Sequence, residues 1–443
     1  MKTALCTIAL MSAAVNALSL GGQPAAEQHL DSRARLAALS GGQVMAPNSA
    51  PLVPPLNDPP QQLKMLASGL VKAVTVPQAK VIDGKAFPLT LSPTGTQLVD
   101  RATLIRENRQ ELIDVLREYG AVLLRGWGAC APSHFAEISA ALQLPTTEMS
   151  CSAGPRFEVA SNVFTANEAP PTERIPFHHE MAQCNAPPAV IMFFCEQSAP
   201  SGGATPIIES HLAAAYLRSR HPDVAARLEQ KGVRYVRIMP PVTDTSSALG
   251  KSWRTALRVE SPEEAEAALR AMGSTWTWLA GGMLRTVTES QRAPACTRSP
   301  WRPSLFPQVT ESMPALLRDE RSGREVFFTA AESTFNGVAD EAADRIAVEG
   351  SEEGTECRTV RPEKSIIYGD GSPLDSPTKA AMLDVSAFML RAQVAIPWQP
   401  GDALLLDNAR VQHSRESFKP PRRILASLVG TLSKSHGTLR WDA

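Results

Sequence analysis

Hydrophobic residues recur at helical spacing in three stretches of the chain. One stretch runs from Leu104 to Tyr119, with charged residues between the apolar ones and Gly120 directly after them. A spacing of three or four residues predicts an amphipathic helix, and a glycine commonly follows the end of one. The same period in residues 135–142 and 211–228 predicts two further helices.

Short apolar runs elsewhere in the chain predict β-strands. They are rich in Val, Ile, Leu and Phe, and they are separated by Pro and Gly turns rather than by regularly alternating helices. This pattern favours a curled, mainly antiparallel sheet with added helices over a doubly wound α/β fold. Residues 274–320 show no clear period, and we expect an irregular insertion there. The predicted strands are residues 121–126, 190–195, 233–238, 325–328, 403–406 and 423–429.

The N-terminal segment predicts a targeting sequence followed by a linker. Lys2 precedes a short apolar run and then small residues, which indicates a secretory signal peptide over residues 1–17. Residues 18–60 are rich in Ala, Ser, Gly and Pro, and predict a low-complexity linker. We therefore expect one ordered domain over residues 61–443, in a protein that enters the secretory route and ends in a plastid or outside the cell.

Composition and charge narrow the class of partner. The 443 residues include 44 Lys and Arg against 45 Asp and Glu, which leaves a net charge of -1. This balance offers no electrostatic basis for binding nucleic acid or an anionic membrane, and no later apolar run predicts a membrane span. Seven cysteines contain no C-x-x-C pair, which argues against a disulfide framework or a structural zinc site. We expect a small-molecule partner, and nothing indicates the oligomeric state.

Two histidines and a carboxylate adjoin at His178, His179 and Glu180. Residues two apart share a face of an extended chain, so His178 and Glu180 point together while His179 points away. They would supply two of the three ligands of a two-His-one-carboxylate site, which suits non-haem Fe(II). Eight histidines and 45 acidic residues in 443 predict about 0.8 chance occurrences of His-x-acid, so a surface loop is the alternative.

His413 is the candidate for the third ligand. It follows a tight turn and a predicted buried strand that ends in polar residues. Ten residues later, Arg423 opens the next predicted strand. A guanidinium near a metal ligand suits a dicarboxylate, which it binds through two parallel hydrogen bonds. The alternative is a strand-end arginine in a surface ion pair.

Four ordered motifs resemble the clavaminate synthase-like proteins, within the wider group of taurine-dioxygenase-like Fe(II)/2-oxoglutarate oxygenases. A further stretch, SNVFTANE at residues 161–168, is similar to the plant subgroup. The likeness extends from about residue 76 to residue 430 and is weaker over residues 274–362. The four motifs are IPFHHEMAQ at residues 175–183, SGGATPI at 201–207, PWQPGD at 397–402 and the block 407–428.

This resemblance implies a fold, a chemistry and a metal site. The fold is a double-stranded β-helix, or jelly roll, with flanking helices. His178, Glu180 and His413 would hold Fe(II), and dioxygen and 2-oxoglutarate would be consumed with succinate and CO2 as co-products. The reaction would be hydroxylation or desaturation of a small molecule such as an amino acid or related small acid. The presence of Glu180 argues against halogenation, because the family's halogenases lack this carboxylate.

The resemblance also implies an anchor for 2-oxoglutarate. Thr205 and Arg423 would bind its far carboxylate, and Arg423 is preferred over Arg422 because the family's arginine directly precedes the apolar part of this strand. Without the resemblance, Thr205 would be interpreted as a turn residue after two glycines. In taurine dioxygenase a second arginine, four residues past the anchor, meets the sulfonate. Ser427 stands at that position, so a sulfonate substrate is not supported.

Two alternatives from other functional classes stay open at this point. A zinc-dependent hydrolase could use the same ligand types with metal-bound water as the nucleophile. A non-catalytic binding protein could retain the β-helix without turnover. Retained activity with zinc and no need for 2-oxoglutarate would favour the hydrolase. Candidates for the substrate pocket are Phe164, Asn167 and Trp398, each of which could equally be a packing residue.

Overall fold

The computed structural model describes most of the chain from residue 69 onward. Every described residue lies within one compact unit, Ser49–Ala443. The predicted signal peptide (residues 1–17) and linker (residues 18–60) lie outside the described residues. The described ranges are 69–94, 100–147, 156–166, 169–184, 186–243, 251–271, 274–288, 313–330, 366–435 and 437–442.

The three predicted helices are present, and two of them are divided. The first is interrupted at Asn108, where the side-chain and backbone N–H groups both donate to the Leu104 carbonyl, at 2.9 and 3.2 Å. The longest is interrupted at His221 because Pro222 lacks an N–H and begins a new helix instead. The described helices are α1 (Arg101–Glu107), α2 (Arg109–Tyr119), α3 (Pro132–Ala141), α4 (Ser210–Arg220), α5 (Pro222–Lys231), α6 (Trp253–Leu257), α7 (Pro262–Ala271) and α8 (Ser376–Ala392). Within the described ranges, none of them is both long and apolar enough to cross a membrane.

All six predicted strands are present, and the prediction of a mainly β protein with helices is confirmed. Most strand pairs are antiparallel, as expected from the short Pro and Gly turns. The described strands are β1 (Val71–Val74), β2 (Lys80–Ile82), β3 (Lys85–Phe87), β4 (Leu89–Pro93), β5 (Ala121–Leu124), β6 (Glu158–Ala160), β7 (Val163–Thr165), β8 (Ile175–His178), β9 (Val190–Gln197), β10 (Ser201–Gly202), β11 (Ile207–Glu209), β12 (Val233–Met239), β13 (Thr275–Leu279), β14 (Met283–Thr288), β15 (Leu316–Asp319), β16 (Glu325–Phe327), β17 (Ile366–Tyr368), β18 (Ala403–Asp407), β19 (Val411–Arg415), β20 (Phe418–Lys419), β21 (Arg423–Val429), β22 (Thr431–Ser435) and β23 (Thr438–Asp442).

Two sheets face each other across an apolar interior. The major sheet has eight strands in the order β1-β4-β5-β18-β9-β21-β7-β6, and the minor sheet has the order β11-β19-β8. Phe193, Leu404 and Ala426 of the major sheet join one apolar cluster with Ile207 and Val411 of the minor sheet. A polar side chain on the inner face of the minor sheet is therefore enclosed rather than exposed to solvent.

Helices cover the outer face of the major sheet. Successive strand residues point to opposite faces, so Phe194 points outward where its neighbour Phe193 points inward. Phe194 stacks on Phe135 of α3, with the ring centroids 5.2 Å apart. Ser427 of β21 likewise points outward, and its Oγ is 2.7 Å from Oγ of Ser139 in α3. The alternation along β9 and β21 therefore separates an inner face from a helix-packed outer face.

The expectation of an irregular insertion over residues 274–320 is wrong for its described parts. Strands β13 and β14 form an antiparallel hairpin that extends into a sheet with β12 and β17. Gly281 and Gly282, with φ of 69° and 72°, form the turn, a conformation that favours glycine. The sequence TWTWL of β13 alternates with period two, and Trp276 and Trp278 pack on the same small cluster. This alternation with a period of two residues could have predicted β13 from the sequence.

Asp407 at the end of β18 carries a buried carboxyl group, and burial raises its pKa to about 7. Its Oδ1 accepts hydrogen bonds from the Ala409 N–H at 3.0 Å and from Nε1 of Trp441 at 3.2 Å. The positive charge of Arg410 lowers the pKa of Asp407, and the negative charge of Asp319 raises it. The folded protein therefore holds this proton to higher pH than the unfolded chain does.

Asp407→Asn is expected to flatten the pH dependence of stability. Because the folded pKa is raised, the wild-type free energy of unfolding falls as pH rises from about 4 to about 7. Asparagine keeps the acceptor oxygen and does not ionise. At about pH 8 the variant should therefore gain up to about 4 kcal/mol over wild type, and at about pH 3 almost nothing. Urea denaturation at both pH values measures this, and an equal difference at both would contradict the prediction.

Candidate metal centre

His178 and His413 lie directly opposite each other on neighbouring antiparallel strands. The register of β8 and β19 pairs the two residues, and paired residues have side chains on the same face. Their ring centroids are 4.3 Å apart. On its other side, β19 pairs His413 with Ile207, which belongs to the apolar interior. Both imidazoles therefore point into the space between the two sheets.

Glu180 completes a cluster with the two histidines. The ligand atoms of His178, Glu180 and His413 all lie within 4.8 Å of one another. Glu180 follows the end of β8 and is held by the side chain of Asn408. The Asn408 amide accepts from the Glu180 N–H at 2.9 Å and donates to the Glu180 carbonyl at 3.0 Å. An amide side chain thus holds the backbone of Glu180 as a strand partner would.

Both clustered histidines are neutral near pH 7. Burial lowers the pKa of His178, and it lowers the pKa of His413 well below its ordinary value. Nδ1 of His178 donates to the Pro176 carbonyl at 2.9 Å, which leaves the lone pair on Nε2. Two neutral imidazoles and one carboxylate are the donor set typical of non-haem Fe(II). The residues present therefore fit that metal.

His179 points away from the cluster, as the two-residue alternation predicts. It is fully buried, and burial lowers its pKa to about 3. Its Nδ1 donates to the Asn408 carbonyl at 2.7 Å, and its Nε2 accepts from Oγ of Ser210 at 2.9 Å. This imidazole ties the ligand segment to the turn after β18 and to α4 without contributing to the cluster.

The structure places Arg422, rather than Arg423, beside Thr205. Nε of Arg422 donates to the Gly203 carbonyl at 2.8 Å, and its Nη2 is 3.5 Å from Oγ1 of Thr205. Burial lowers the pKa of Arg422 to about 10, so the group is still protonated at neutral pH. Arg423 is half exposed and forms an ion pair with Glu196 at 2.8 Å. Arg423 was predicted at this position, and these contacts favour Arg422 there instead.

The alternation of side chains along β21 explains the difference. Ile424 and Ala426 face the interior, and Arg422 shares their face because it is two residues before Ile424. Arg423 shares the face of Leu425, which packs in the outer core under the helices. The position next to the apolar run therefore does not by itself show which of the two arginines faces the interior.

Gly203 makes room for Arg422, and Gly202 makes room for the backbone at Ser417. Gly202 and Gly203 have φ of +70° and +73°. A Cβ on Gly203 would lie 2.9 Å from Cδ of Arg422, and one on Gly202 would lie 2.3 Å from the carbonyl oxygen of Ser417. Glycine alone meets both the backbone and the space requirements. The SGGAT motif thus positions the arginine as well as Thr205.

A second arginine, Arg156, reaches the cluster from the segment just before β6. Its Nη2 donates to both carboxylate oxygens of Glu180 at 3.0 Å, and its side chain is 9% exposed. The sequence around Arg156 has no motif that distinguishes it. Asn408 was also missed, although a polar residue directly after a buried strand commonly bonds to nearby backbone.

The candidate pocket residues have different outcomes. Nε1 of Trp398 donates to Oγ1 of Thr205 at 3.1 Å, so this indole lies at the proposed anchor. Phe164 packs against the interior cluster between the sheets. Asn167 lies outside the described residues. Of the two that the structure describes, Trp398 has the contact that a role near the site requires.

The sequence matches a known protein family over most of its length. The model of the taurine catabolism dioxygenase family, TauD and TfdA, matches residues 85–429 of this chain. The chain belongs to the TauD/TfdA family. As a TauD/TfdA protein it is an Fe(II)- and 2-oxoglutarate-dependent dioxygenase, with dioxygen as the oxidant. Membership of this family disfavours the zinc-hydrolase and non-catalytic alternatives.

Two other proteins and one solved structure are similar to this chain. A clavaminate synthase-like protein of Arabidopsis thaliana is 32% identical over 370 residues, which are 82% of this chain and 99% of that protein. Dapdiamide synthesis protein DdaC of Enterobacter agglomerans is 25% identical over 316 residues, 71% of this chain and 84% of that protein. Among solved structures, PvcB from Pseudomonas aeruginosa aligns with a TM-score of 0.40 and 14% identity over 81% of this chain and 93% of its own. The resemblance inferred from the sequence motifs is confirmed by the family match and the Arabidopsis relative.

Proposed function

We propose that His178, Glu180 and His413 bind the Fe(II), and that Arg422 and Thr205 bind the far carboxylate of 2-oxoglutarate. The observation that carries this proposal is the enclosed cluster of two neutral imidazoles and one carboxylate, with ligand atoms within 4.8 Å. Three protein ligands of this kind leave positions on the metal for other ligands. We further propose that the two facing sheets are those of a double-stranded β-helix, or jelly roll.

Arg422 has the properties that the far end of 2-oxoglutarate requires. It is protonated at neutral pH, and its hydrogen-bond partners among the described residues are a carbonyl and a hydroxyl rather than an acid. Thr205 lies on the extension of β11, two residues before the partner of His413. Two strand residues span roughly 7 Å, which a five-carbon dicarboxylate can bridge. The positive charge of Arg422 is therefore available to a carboxylate, at a distance from the metal ligands that 2-oxoglutarate can span.

The residues of the chain hold, orient and shield the reacting groups. When bound, the iron supplies the one-electron chemistry that couples dioxygen to the oxidation of 2-oxoglutarate to succinate and CO2. The Pro176 carbonyl keeps Nε2 of His178 free to bind, and Asn408 fixes Glu180. The Phe193 ring, 5.0 Å from that of His413, helps the apolar interior to exclude water.

The proposed reaction is hydroxylation or desaturation of a small molecule such as an amino acid or related small acid. The relative named for dapdiamide synthesis supports a small-molecule substrate. A sulfonate substrate has no support, because neither candidate anchor is followed four residues later by a second arginine. That position is Ala426 counted from Arg422, and Ser427 counted from Arg423. Ser427 points to the outer face, where it bonds to Ser139.

Arg422→Gln and Arg423→Gln test the anchor against its neighbour. With the full chain, Fe(II) and ascorbate under air, we expect Arg422→Gln to raise the 2-oxoglutarate concentration for half-maximal succinate formation by about tenfold to a hundredfold. The reason is the loss of a charge-assisted hydrogen bond. Arg423→Gln should change this value by less than about twofold, since that side chain pairs with Glu196 near the surface.

The opposite ranking of the two variants would restore Arg423 as the anchor. A wild-type protein that forms no succinate and binds no 2-oxoglutarate by calorimetry would overturn the proposed function as a whole. In that case the zinc-hydrolase and binding-protein alternatives would have to be tested directly.

A further inference from the structure

Arg156 has more hydrogen-bonding capacity than the described protein uses. One nitrogen, Nη2, donates to Glu180. Its Nε and Nη1 are buried, and neither has a hydrogen-bond partner among the described residues. Nine-tenths of this side chain is shielded from solvent. Since buried guanidinium N–H groups without acceptors are costly, these donors indicate a ligand that accepts from them.

The position of Arg156 places those donors at the metal centre. The residue precedes β6, the edge strand of the major sheet. Its contact with Glu180 at 3.0 Å puts the guanidinium beside the proposed ligands. Arg422 enters from the start of β21 and contacts Gly203 and Thr205 instead. The two arginines thus have separate partners, one for each side of the site.

With the metal and cosubstrate bound, the charges of these groups would leave one positive charge in excess. Fe(II) and Arg422 carry three positive charges in total, and Glu180 with doubly ionised 2-oxoglutarate carries three negative ones. Arg156 then adds an uncompensated positive charge in a buried position, which an anion would stabilise. Two other arginines have acceptors of their own: Arg125 pairs with Asp402 at 2.6 Å, and Arg415 donates to backbone carbonyls.

We propose that Arg156 binds a carboxylate of the organic substrate through Nη1 while its Nη2 stays on Glu180. The inference rests on the proposed function and narrows its substrate class to small carboxylic acids, amino acids included. A planar guanidinium with N–H groups to spare is suited to carboxylate oxygens. Its contact with Glu180 ties the bound carboxylate to a metal ligand, and so places the rest of a small substrate at the metal.

Ligand binding to the full chain under argon, with Mn(II) in place of Fe(II) and saturating 2-oxoglutarate, tests this assignment. The probes are the proteinogenic L-amino acids and the straight-chain acids from acetate to octanoate, each compared with its primary amide by calorimetry. We expect one or more acids to bind, and their amides to bind at least about tenfold more weakly. Arg156→Gln should weaken acid binding by about tenfold to a hundredfold and leave 2-oxoglutarate affinity within about twofold.

Two further variants keep the test decisive. Arg156→Lys keeps the charge opposite Glu180 without the planar donors, so it should bind the acid more weakly than wild type even if Arg156→Gln does not fold. Arg440→Gln removes an exposed arginine that pairs with Glu320 at 3.0 Å, and it should bind the acid as wild type does.

Three results would overturn the role of Arg156 alone. In the first, wild type with bound 2-oxoglutarate binds no acid of the panel. In the second, the amides bind as tightly as the acids. In the third, the Arg156 variants change only the affinity for Mn(II) or for 2-oxoglutarate. The last result would make Arg156 a charge partner of Glu180 or a contact for the cosubstrate. Failure of wild type to bind 2-oxoglutarate would instead overturn the proposed function, and this inference with it.

Discussion

His178→Ala is expected to reduce succinate formation from 2-oxoglutarate to less than about one hundredth of the wild-type rate. Alanine removes one of three donors, and the remaining pair, Glu180 and His413, cannot retain the metal in a fixed orientation. Because His178 is opposite His413 on an antiparallel strand pair, no neighbouring side chain can take its place: His179 points away and is bonded to Asn408 and Ser210.

Calorimetry with Mn(II) in the absence of oxygen separates loss of metal from loss of turnover. We expect the affinity of His178→Ala for Mn(II) to fall by more than about a hundredfold. His134→Ala is the matched control, since His134 is a partly exposed residue of α3 whose ring nitrogen bonds to Cys130. Near-wild-type Mn(II) affinity and succinate formation in His178→Ala would remove His178 from the proposed metal site.

The metal cluster could be predicted in part from local sequence alone. His178 and Glu180 are two residues apart on an extended segment, and that spacing determines that they share a face. The third member was harder, because the pairing of His413 with His178 joins residues far apart in the sequence. Only the order of several motifs, compared with a known family, indicated that the two strands would meet.

The choice between Arg422 and Arg423 depends on which face of β21 is the interior, and the sequence of this strand does not show that. Every residue from Ile424 to Val429 is buried, so the sequence has no polar-apolar alternation to show which face is the interior. The two faces differ in what covers them, the minor sheet on one side and helices on the other. That difference arises from tertiary packing, and the structure was needed to place Arg422 inside.

Arg156 and Asn408 had no local signal comparable to that of the histidines. Each bonds to Glu180 from a distant part of the sequence. Whether such a bond forms depends on how the backbone folds, which the type of a single residue does not indicate. The positioning of the carboxylate ligand is thus the part of the site least visible in the sequence. It is also the part where a single substitution can separate stability from metal binding.

Asn408→Ala is expected to destabilise the protein by about 3–5 kcal/mol and to weaken metal binding by about tenfold to a hundredfold. The fully buried Asn408 side chain makes three hydrogen bonds, two with the Glu180 backbone and one to the Pro188 carbonyl at 2.9 Å. Alanine would leave the Glu180 N–H and both carbonyls without partners. The segment after β8 would then lose the contact that holds the carboxylate next to the two imidazoles.

Ser139→Ala is the control that distinguishes positioning from general loss of stability. It removes a buried hydrogen bond to Ser427 on the outer face of β21, away from the metal ligands. We expect Ser139→Ala to lower the free energy of unfolding by about 1 kcal/mol while Mn(II) affinity stays at the wild-type value. If Asn408→Ala, measured well below its melting temperature, also kept wild-type Mn(II) affinity, Asn408 would support only the fold. A selective loss of affinity would show that the placement of Glu180 depends on this one amide, because no other described side chain holds both backbone groups of that residue.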